Sequence, residues 1–232
     1  MFGAGGGFLI ANSFNRSEME TLRQENERLK QTIADTEKAQ AESTLSLDEI
    51  KARIAEADAN PANLNFNRDL GLALYRYSAM KRDVPLLKET LRLLERVNSA
   101  RPEDYDVLVA LGNTHFDIGT FAGETERFPT ARGIYDRAAA IKPDDANVRT
   151  DIALTYFLQR PAAYDQAAAE FERAIRSDPK NERALQFLVQ THWQSGKQAQ
   201  AAEALAKLRA VNPANQVIPE LESMLTKEPP TK

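Results

Sequence analysis

One sequence pattern occurs four times in this chain, and each copy ends in a proline. These prolines are Pro102, Pro143, Pro179 and Pro213. Counting backward from the last three, a small or aliphatic residue lies five positions before the proline, a bulky residue eight before and an alanine twelve before. These residues are Ala138, Ala174 and Leu208, then Tyr135, Phe171 and Leu205, then Ala131, Ala167 and Ala201. Proline ends a helix because it lacks an N–H and clashes with a continuing turn. The pattern therefore predicts a helix before each proline, with small and large residues at fixed positions of its packing face.

A second pattern precedes each of these helices. It occurs as Leu70-Gly71, Leu111-Gly112, Ile152-Ala153 and Leu188-Val189. Together the two patterns resemble the tetratricopeptide repeat (TPR), a helical hairpin in which helix A carries the Leu-Gly pair and helix B carries the small and large positions before the proline. Pro179 and Pro213 are 34 residues apart, which is the period of this family.

The resemblance covers about residues 64–213 and implies an all-α TPR superhelix of about four repeats with capping helices. The first repeat departs most from the pattern, with Thr90, Leu94 and Val97 at the helix B positions. Extra residues of the second repeat fall at 119–129, which predicts an enlarged turn between its helices. Pro85 and Pro129 suit the first turn of their B helices, where the missing N–H has no helical partner in any case.

The formal net charge of −4 comes from one part of the chain. Residues 16–58 contain seven Lys or Arg and eleven Asp or Glu, so the repeats are close to neutral. No basic face indicates nucleic acid as a partner. The absence of cysteine excludes disulfide and thiol chemistry.

The first segment, residues 1–15, is a mostly apolar, glycine-rich leader or the remnant of a membrane anchor. It is shorter than the roughly 20 apolar residues of a spanning helix, and no basic run precedes it as in a secretory signal. The apolar run Phe8-Leu9-Ile10 leads directly into charged residues, which favours the anchor. This interpretation places the protein at a membrane of the bacterial cell envelope in preference to the cytoplasm.

Residues 16–45 are predicted to form a coiled-coil helix. Heptad positions are held by Met19, Leu22, Asn26, Leu29 and Ile33. Asn26 lies at an a position, where a buried amide sets register and favours a parallel pair of helices. The pattern predicts weak homodimerisation or a spacer that holds the repeats away from a membrane. A single solvated helix is the alternative, because so short a coiled coil is marginal by itself.

We expect residues 46–227 to form the TPR solenoid and residues 228–232 to form a tail. Ser46 and Glu49 form a capping-box pattern that opens a helix over 47–59, which we expect to cover the first repeat. A stripe of Ile218, Leu221 and Leu225 predicts the helix that caps the fourth repeat.

The sequence offers no pattern for catalysis, metal binding or a cofactor. Its two histidines, His115 and His192, lie in repeats separated by a third, at a position that normally holds a packing aromatic ring. We therefore interpret both as packing residues. The expected protein is not an enzyme, because stacked helical hairpins present an open surface and no closed pocket.

In TPR proteins the concave groove is lined by helix A residues three before, one after and four after the Gly/Ala position. The resemblance places twelve residues there: Arg68, Leu72, Tyr75, Val109, Asn113, Phe116, Thr150, Leu154, Phe157, Gln186, Gln190 and Trp193. The last position of every repeat is aromatic, which suits a bound peptide, although such rings also serve packing in this family. Trp193, the sole tryptophan, is the strongest single candidate for a binding hot spot.

The resemblance also argues against one known TPR activity. Co-chaperone TPR domains clamp a C-terminal carboxylate with lysine, arginine and asparagine. Arg68 occupies the first clamp position, but Leu72 replaces the asparagine, and Ala110 and Asp151 occupy the later positions. An acid at Asp151 would repel a carboxylate.

These observations predict a non-enzymatic scaffold or adaptor that binds a peptide segment of a partner protein in the groove. The layout of leader, coiled coil and TPRs is similar to that of cell-envelope assembly factors, including the TPR modules of cytochrome c biogenesis proteins. A structural subunit that assembles with itself is the alternative.

Overall fold

A computed structural model describes residue 30 and residues 46–229 of the chain. The chain divides into two units, residues 1–55 and residues 56–232. The predicted leader, and the five heptad positions of the predicted coiled coil, lie outside the described residues. Pairing and anchoring of the chain therefore stay predictions.

Residues 46–229 form helices joined by short connections. In chain order these helices are α1 (Leu47–Ala59), α2 (Leu64–Lys81), α3 (Val84–Ala100), α4 (Tyr105–Phe121), α5 (Arg127–Ile141), α6 (Ala146–Leu158), α7 (Tyr164–Ser177), α8 (Glu182–Gln194), α9 (Gln198–Val211) and α10 (Ile218–Leu225). No strand occurs in this part of the chain, which confirms the predicted all-α fold. None of the described helices is both long enough and apolar enough to cross a membrane.

The two ends of α1 belong to different units. At its start, in the first unit, the Ser46 N–H donates to Glu49 Oε2 at 2.7 Å and the Glu49 N–H donates to Ser46 Oγ at 3.2 Å, which is the predicted capping box. At its end, in the second unit, Asp58 accepts hydrogen bonds from Arg92 and Arg96 of α3, at 2.6 and 2.8 Å. The expected covering of the first repeat by α1 stays a prediction.

Four hairpins follow, and each consists of an A helix and a B helix: α2 with α3, α4 with α5, α6 with α7, and α8 with α9. Each A helix contacts the A helix of the next hairpin, and the first three B helices each also contact the A helix that follows them. The last helix, α10, contacts α8 and α9, and its residues Ile218 and Leu221 are buried in the core. Hairpins that pack only on their neighbours in this way form a helical-repeat solenoid.

The four prolines act as predicted, and the residues just after them begin the next helix. The helices α3, α5, α7 and α9 each end two residues before the proline of their repeat. Two residues after the proline, an Asp or Asn side chain accepts a hydrogen bond from a backbone N–H in the first turn of the next A helix. The caps are Asp104, Asp145 and Asn181. One short motif therefore ends a B helix and starts the following A helix.

The small and large positions of the repeats fit together in the interior. Tyr135 and Phe171 are buried, and Ala131, Ala138 and Ala167 are fully buried beside them. A methyl group added to Gly112 would lie 2.6 Å from Cε1 of Tyr135, so this glycine makes room for the tyrosine ring. The buried residues form two clusters, one from α3 to α6 and one from α6 to α10, and Phe116 and Tyr156 pack against both.

The enlarged turn of the second repeat is shorter than the sequence predicts. The helix α4 continues to Phe121 and α5 begins at Arg127, so only residues 122–126 connect them. Helix α4 continues through Gly119, whose missing side chain leaves room for the ring of Phe128. Pro129 lies in the first turn of α5 and Pro85 in the first turn of α3, as predicted.

Candidate functional site

The twelve predicted groove residues all lie on α2, α4, α6 and α8. We call the surface formed by these four helices the A-helix face. The structure gives the three positions of each repeat different roles, so the twelve residues do not form one uniform surface.

The first position of each repeat mostly links neighbouring repeats. In the first and third repeats its side chain bonds the residue that caps the next A helix. In the fourth repeat it bonds Asn215, which lies two residues after Pro213. These bonds join Arg68 Nε to Asp104 Oδ2 at 2.6 Å, Asn181 Nδ2 to Thr150 Oγ1 at 3.3 Å, and Gln186 Nε2 to Asn215 Oδ1 at 3.2 Å. Val109 has no polar atom in its side chain, and in its repeat Tyr105 OH donates instead to Asp145 Oδ2 at 2.5 Å. The position predicted to contact a ligand is thus largely used to hold the stack together.

Two of the predicted residues are not on the surface at all. Thr150 is 0% exposed and Leu154 is 1% exposed. Both lie on α6, which contacts A helices on each side, α4 and α8, as well as the B helices α5 and α7. The prediction that Thr150 and Leu154 line an accessible groove is therefore wrong, because the middle of the stack encloses them.

The aromatic row is used mainly for packing. The ring centroids of Phe116 and Phe128 are 5.6 Å apart, and Phe157 lies 5.8 Å from Tyr164. Trp193 packs against the core cluster of α6 to α10, and its buried Nε1 atom has no hydrogen-bond partner among the described residues. Its ring is thus part of the packing of the fourth repeat, which weakens the case for Trp193 as a hot spot.

Two adjoining cavities lie on the A-helix face. The larger, the Leu72 cavity, has a volume of about 330 Å³ and is lined by Leu72, Tyr75, Arg76, Tyr105, Asp106, Val109, Ala110, Asn113 and Asp145. The smaller, the Asp117 cavity, has a volume of about 130 Å³ and is lined by Tyr75, Asn113, Phe116, Asp117, Tyr135, Asp151 and Arg183. Tyr75 and Asn113 belong to both cavities. Five predicted groove residues meet here, all from the first two repeats.

Polar side chains from five helices converge on the Asp117 cavity. Three side-chain pairs form there: Tyr75 OH donates to Asp117 Oδ2 at 3.3 Å, Tyr135 OH donates to Asn113 Oδ1 at 2.7 Å, and Arg183 Nη1 donates to Asp151 Oδ1 at 2.8 Å. Burial raises the pKa of Asp117 to about 6; the bond from Tyr75 opposes this shift and the charge of Asp151 adds to it. Burial also raises the pKa of Asp151, against the effect of Arg183. A strongly shifted carboxyl group in a cleft marks a candidate functional site.

Most of the polar residues of this site are not predicted from the sequence. The sequence pattern identifies Asp151 only as an acid unsuited to a carboxylate clamp, and Tyr135 only as a packing residue. Asp117 follows the predicted groove residue Phe116 directly, and only the stacking of repeats shows that it enters the same cavity as Asp151. Asp145 was detectable, because an Asp or Asn two residues after each proline is a helix-start signal.

The two histidines lie in the interior. Burial lowers the pKa of His115 to about 4, and the neighbouring Arg127 adds to this effect. Burial also lowers the pKa of His192. Both positions are buried, as expected of packing residues. Within residues 46–229, no group of three or more His, Asp or Glu side chains is arranged to hold a metal ion.

Comparison with known proteins shows which proteins have a similar fold. Residues 162–225 match the family model described as tetratricopeptide repeat. Among solved structures, the chain resembles MamA (TM-score 0.57, 19% identity, 73% of this chain and 96% of the other), YrrB, described as a TPR protein with an unusual peptide-binding site (0.58, 17%, 76% and 85%), and TTC0263, a TPR protein of Thermus thermophilus (0.56, 15%, 77% and 90%). No curated protein matches the chain in sequence. Its stacked hairpins thus have the fold of TPR proteins, and the chain carries the tetratricopeptide repeat at residues 162–225.

Proposed function

We propose that the protein is a non-enzymatic adaptor that holds a segment of a partner protein on the A-helix face. The observation that carries this proposal is the pair of adjoining cavities on the A-helix face, joined at Tyr75 and Asn113. TPR solenoids use extended surfaces of this kind for protein binding. The fold similarity to YrrB, which is described as having a peptide-binding site, supports the same function.

The chemistry of the Leu72 cavity suits an extended peptide. Leu72 and Val109 supply apolar area, while Asn113 and Arg76 supply polar groups at its walls. Aromatic side chains such as Tyr75 and Tyr105 give a large contact area and a polar tip. We infer that the main contact lies on the first two repeats, since Thr150 and Leu154 of the third are buried.

A bulky charge placed in the Leu72 cavity tests the proposal. Val109→Arg fills the cavity, and Ala140→Arg places the same side chain at an exposed position of α5 as the matched control. In affinity capture from the native organism, we expect one set of partners with wild-type and Ala140→Arg baits and its loss with Val109→Arg. The melting temperatures of the three proteins establish that all are folded.

Two results would contradict this function. Equal capture by Val109→Arg and by wild-type protein would exclude the Leu72 cavity as the binding surface. Particles that grow with protein concentration in light scattering, without any captured partner, would favour the self-assembling structural subunit.

We further propose that the heptad segment pairs two chains or separates the repeats from a membrane. The heptad positions of Leu22, Asn26 and Leu29 support this role. Asn26→Leu should change the oligomeric state measured by sedimentation of the full chain, because an amide at an a position favours a pair of helices. An unchanged monomer in both proteins would reject pairing through this segment.

A further inference from the structure

We propose that the Asp117 cavity is a subsite for a cationic side chain, arginine in preference to lysine, of the segment that the A-helix face holds. This inference rests on the proposed function and names the chemistry of the partner. The site is the opposite of the carboxylate clamp of co-chaperone TPR domains, because here the protein supplies the carboxylate.

Asp117 has unused capacity to accept hydrogen bonds. The other carboxylates of the two cavities are already well bonded: Asp106 and Asp151 to arginines, and Asp145 to a tyrosine and two backbone N–H groups. The distances are 2.7 Å for Asp106 with Arg68, 2.8 Å for Asp151 with Arg183, and 2.5 Å for Asp145 with Tyr105. Among the described residues, the partner of Asp117 is the hydroxyl of Tyr75 at 3.3 Å, which is long for a hydrogen bond from a hydroxyl to a carboxylate. A largely buried carboxylate with so weak a partner can accept further hydrogen bonds.

The size and lining of the cavity suit a guanidinium group. The cavity volume of about 130 Å³ leaves room for a small planar head group such as a guanidinium. Its lining surface is mostly polar, which suits a charged head group that forms hydrogen bonds. A guanidinium group binds a carboxylate with two parallel hydrogen bonds, so an arginine can engage both oxygens of Asp117. The ammonium group of lysine is a point charge without this matching geometry.

The charged groups around Asp117 leave its negative charge unbalanced. The groups that face it are Tyr75 from α2, Asp151 from α6 and Arg183 from α8, together with the neutral Tyr135 from α5. Arg183 and Asp151 form an ion pair, so their charges largely cancel at the subsite. The pair also demonstrates that the cavity wall accommodates a guanidinium bonded to a carboxylate. What remains unbalanced is the negative charge of Asp117.

Small probes test the subsite on the full chain without knowledge of the partner. The probes are N-acetylarginine methylamide and its neutral isostere, N-acetylcitrulline methylamide, titrated while NMR follows the backbone amides of Tyr75, Asn113 and Asp117. We expect the arginine probe to shift these amides and the citrulline probe to bind at least about tenfold more weakly. Asp117→Asn should abolish the difference between the probes, whereas Asp106→Asn, which removes the same charge from the Leu72 cavity, should preserve it.

The effect of pH gives a second readout. Because only the ionised carboxylate binds a cation, affinity for the arginine probe should fall as the pH is lowered through about 6, the pKa of Asp117. Bound cation favours ionisation, so the fall in the complex should begin at a somewhat lower pH. Equal shifts by both probes, or arginine binding that persists in Asp117→Asn, would overturn the subsite.

The proposed function and this inference can fail separately. Arginine binding at Asp117 with no partner captured through the A-helix face would contradict the adaptor and leave the cation site. Partner capture that depends on Val109 but is unchanged in Asp117→Asn would contradict the subsite and leave the adaptor.

Discussion

Gly112 and Tyr135 meet where the two helices of the second repeat pack against each other. An added Cβ at Gly112 would lie 2.6 and 2.7 Å from two ring atoms of Tyr135, and that ring is buried and tied by its hydroxyl to Asn113. We therefore expect Gly112→Ala to lower the free energy of unfolding by about 1–3 kcal/mol, as overpacking of a core does.

A second glycine provides the control for that prediction. A Cβ at Gly133, on the exposed side of α5, meets nothing within 4 Å. Gly133→Ala should raise the free energy of unfolding by up to about 1 kcal/mol, because alanine favours the helix. Urea denaturation measures both variants, and a Gly112→Ala protein as stable as the wild type would show that the ring moves aside freely.

Asp117 should make the protein less stable at neutral pH than it would be without that charge. The folded-state pKa is raised from 3.8 to about 6, so the contribution of this group to stability is complete below about pH 4 and is lost as the pH rises through 6. Asp117→Asn should therefore melt at a higher temperature than the wild type above about pH 7, and the difference should shrink toward pH 4. Thermal melts across this range measure the effect.

His115 gives the opposite dependence and serves as an internal comparison. Its pKa is lowered from 6.5 to about 4, so its contribution is present above pH 6.5 and is lost as the pH falls toward 4. This loss should remain in Asp117→Asn. A constant difference in melting temperature between wild type and Asp117→Asn at all pH values would contradict the raised pKa of Asp117.

At the scale of helices, the residue that caps the A helix of the second, third and fourth repeats also joins it to the repeat before. Asp145 accepts from the backbone N–H groups of Asn147 and Val148 and from the hydroxyl of Tyr105. Asp145→Ala should lower the free energy of unfolding by about 1–2 kcal/mol, the usual effect of losing a helix cap. Asp144→Ala is the matched control, since Asp144 is the neighbouring residue and is exposed. Equal stability of the two variants in urea denaturation would show that the cap contributes little.

At the scale of the whole repeat array, the two core clusters should respond separately to mutation. Leu185 is fully buried in the cluster of α6 to α10, and Leu94 is fully buried in that of α3 to α6. Truncation of such a residue to alanine costs about 2–5 kcal/mol, and in a solenoid the loss acts first on neighbouring repeats.

Hydrogen exchange measures this division. Leu185→Ala should speed exchange in α8 and α9 more than in α4 and α5, and Leu94→Ala should produce the reverse pattern. A uniform increase along all helices in both variants would instead show that residues 56–229 unfold as one cooperative unit.

The helical hairpins and their order are predictable from the sequence, because they depend on short-range periodicity and on the prolines that end the B helices. A proline two residues beyond Ile141 ends α5 whatever lies elsewhere in the fold, and the alanine positions fix which face packs. Which A-helix side chains are accessible to a partner becomes visible only when the hairpins are stacked. Arg68 is occupied by Asp104 of the next repeat, Thr150 is enclosed by both neighbours, and Asp117 shares a cavity with Asp151. These relations join residues of different repeats, so they depend on how the hairpins stack.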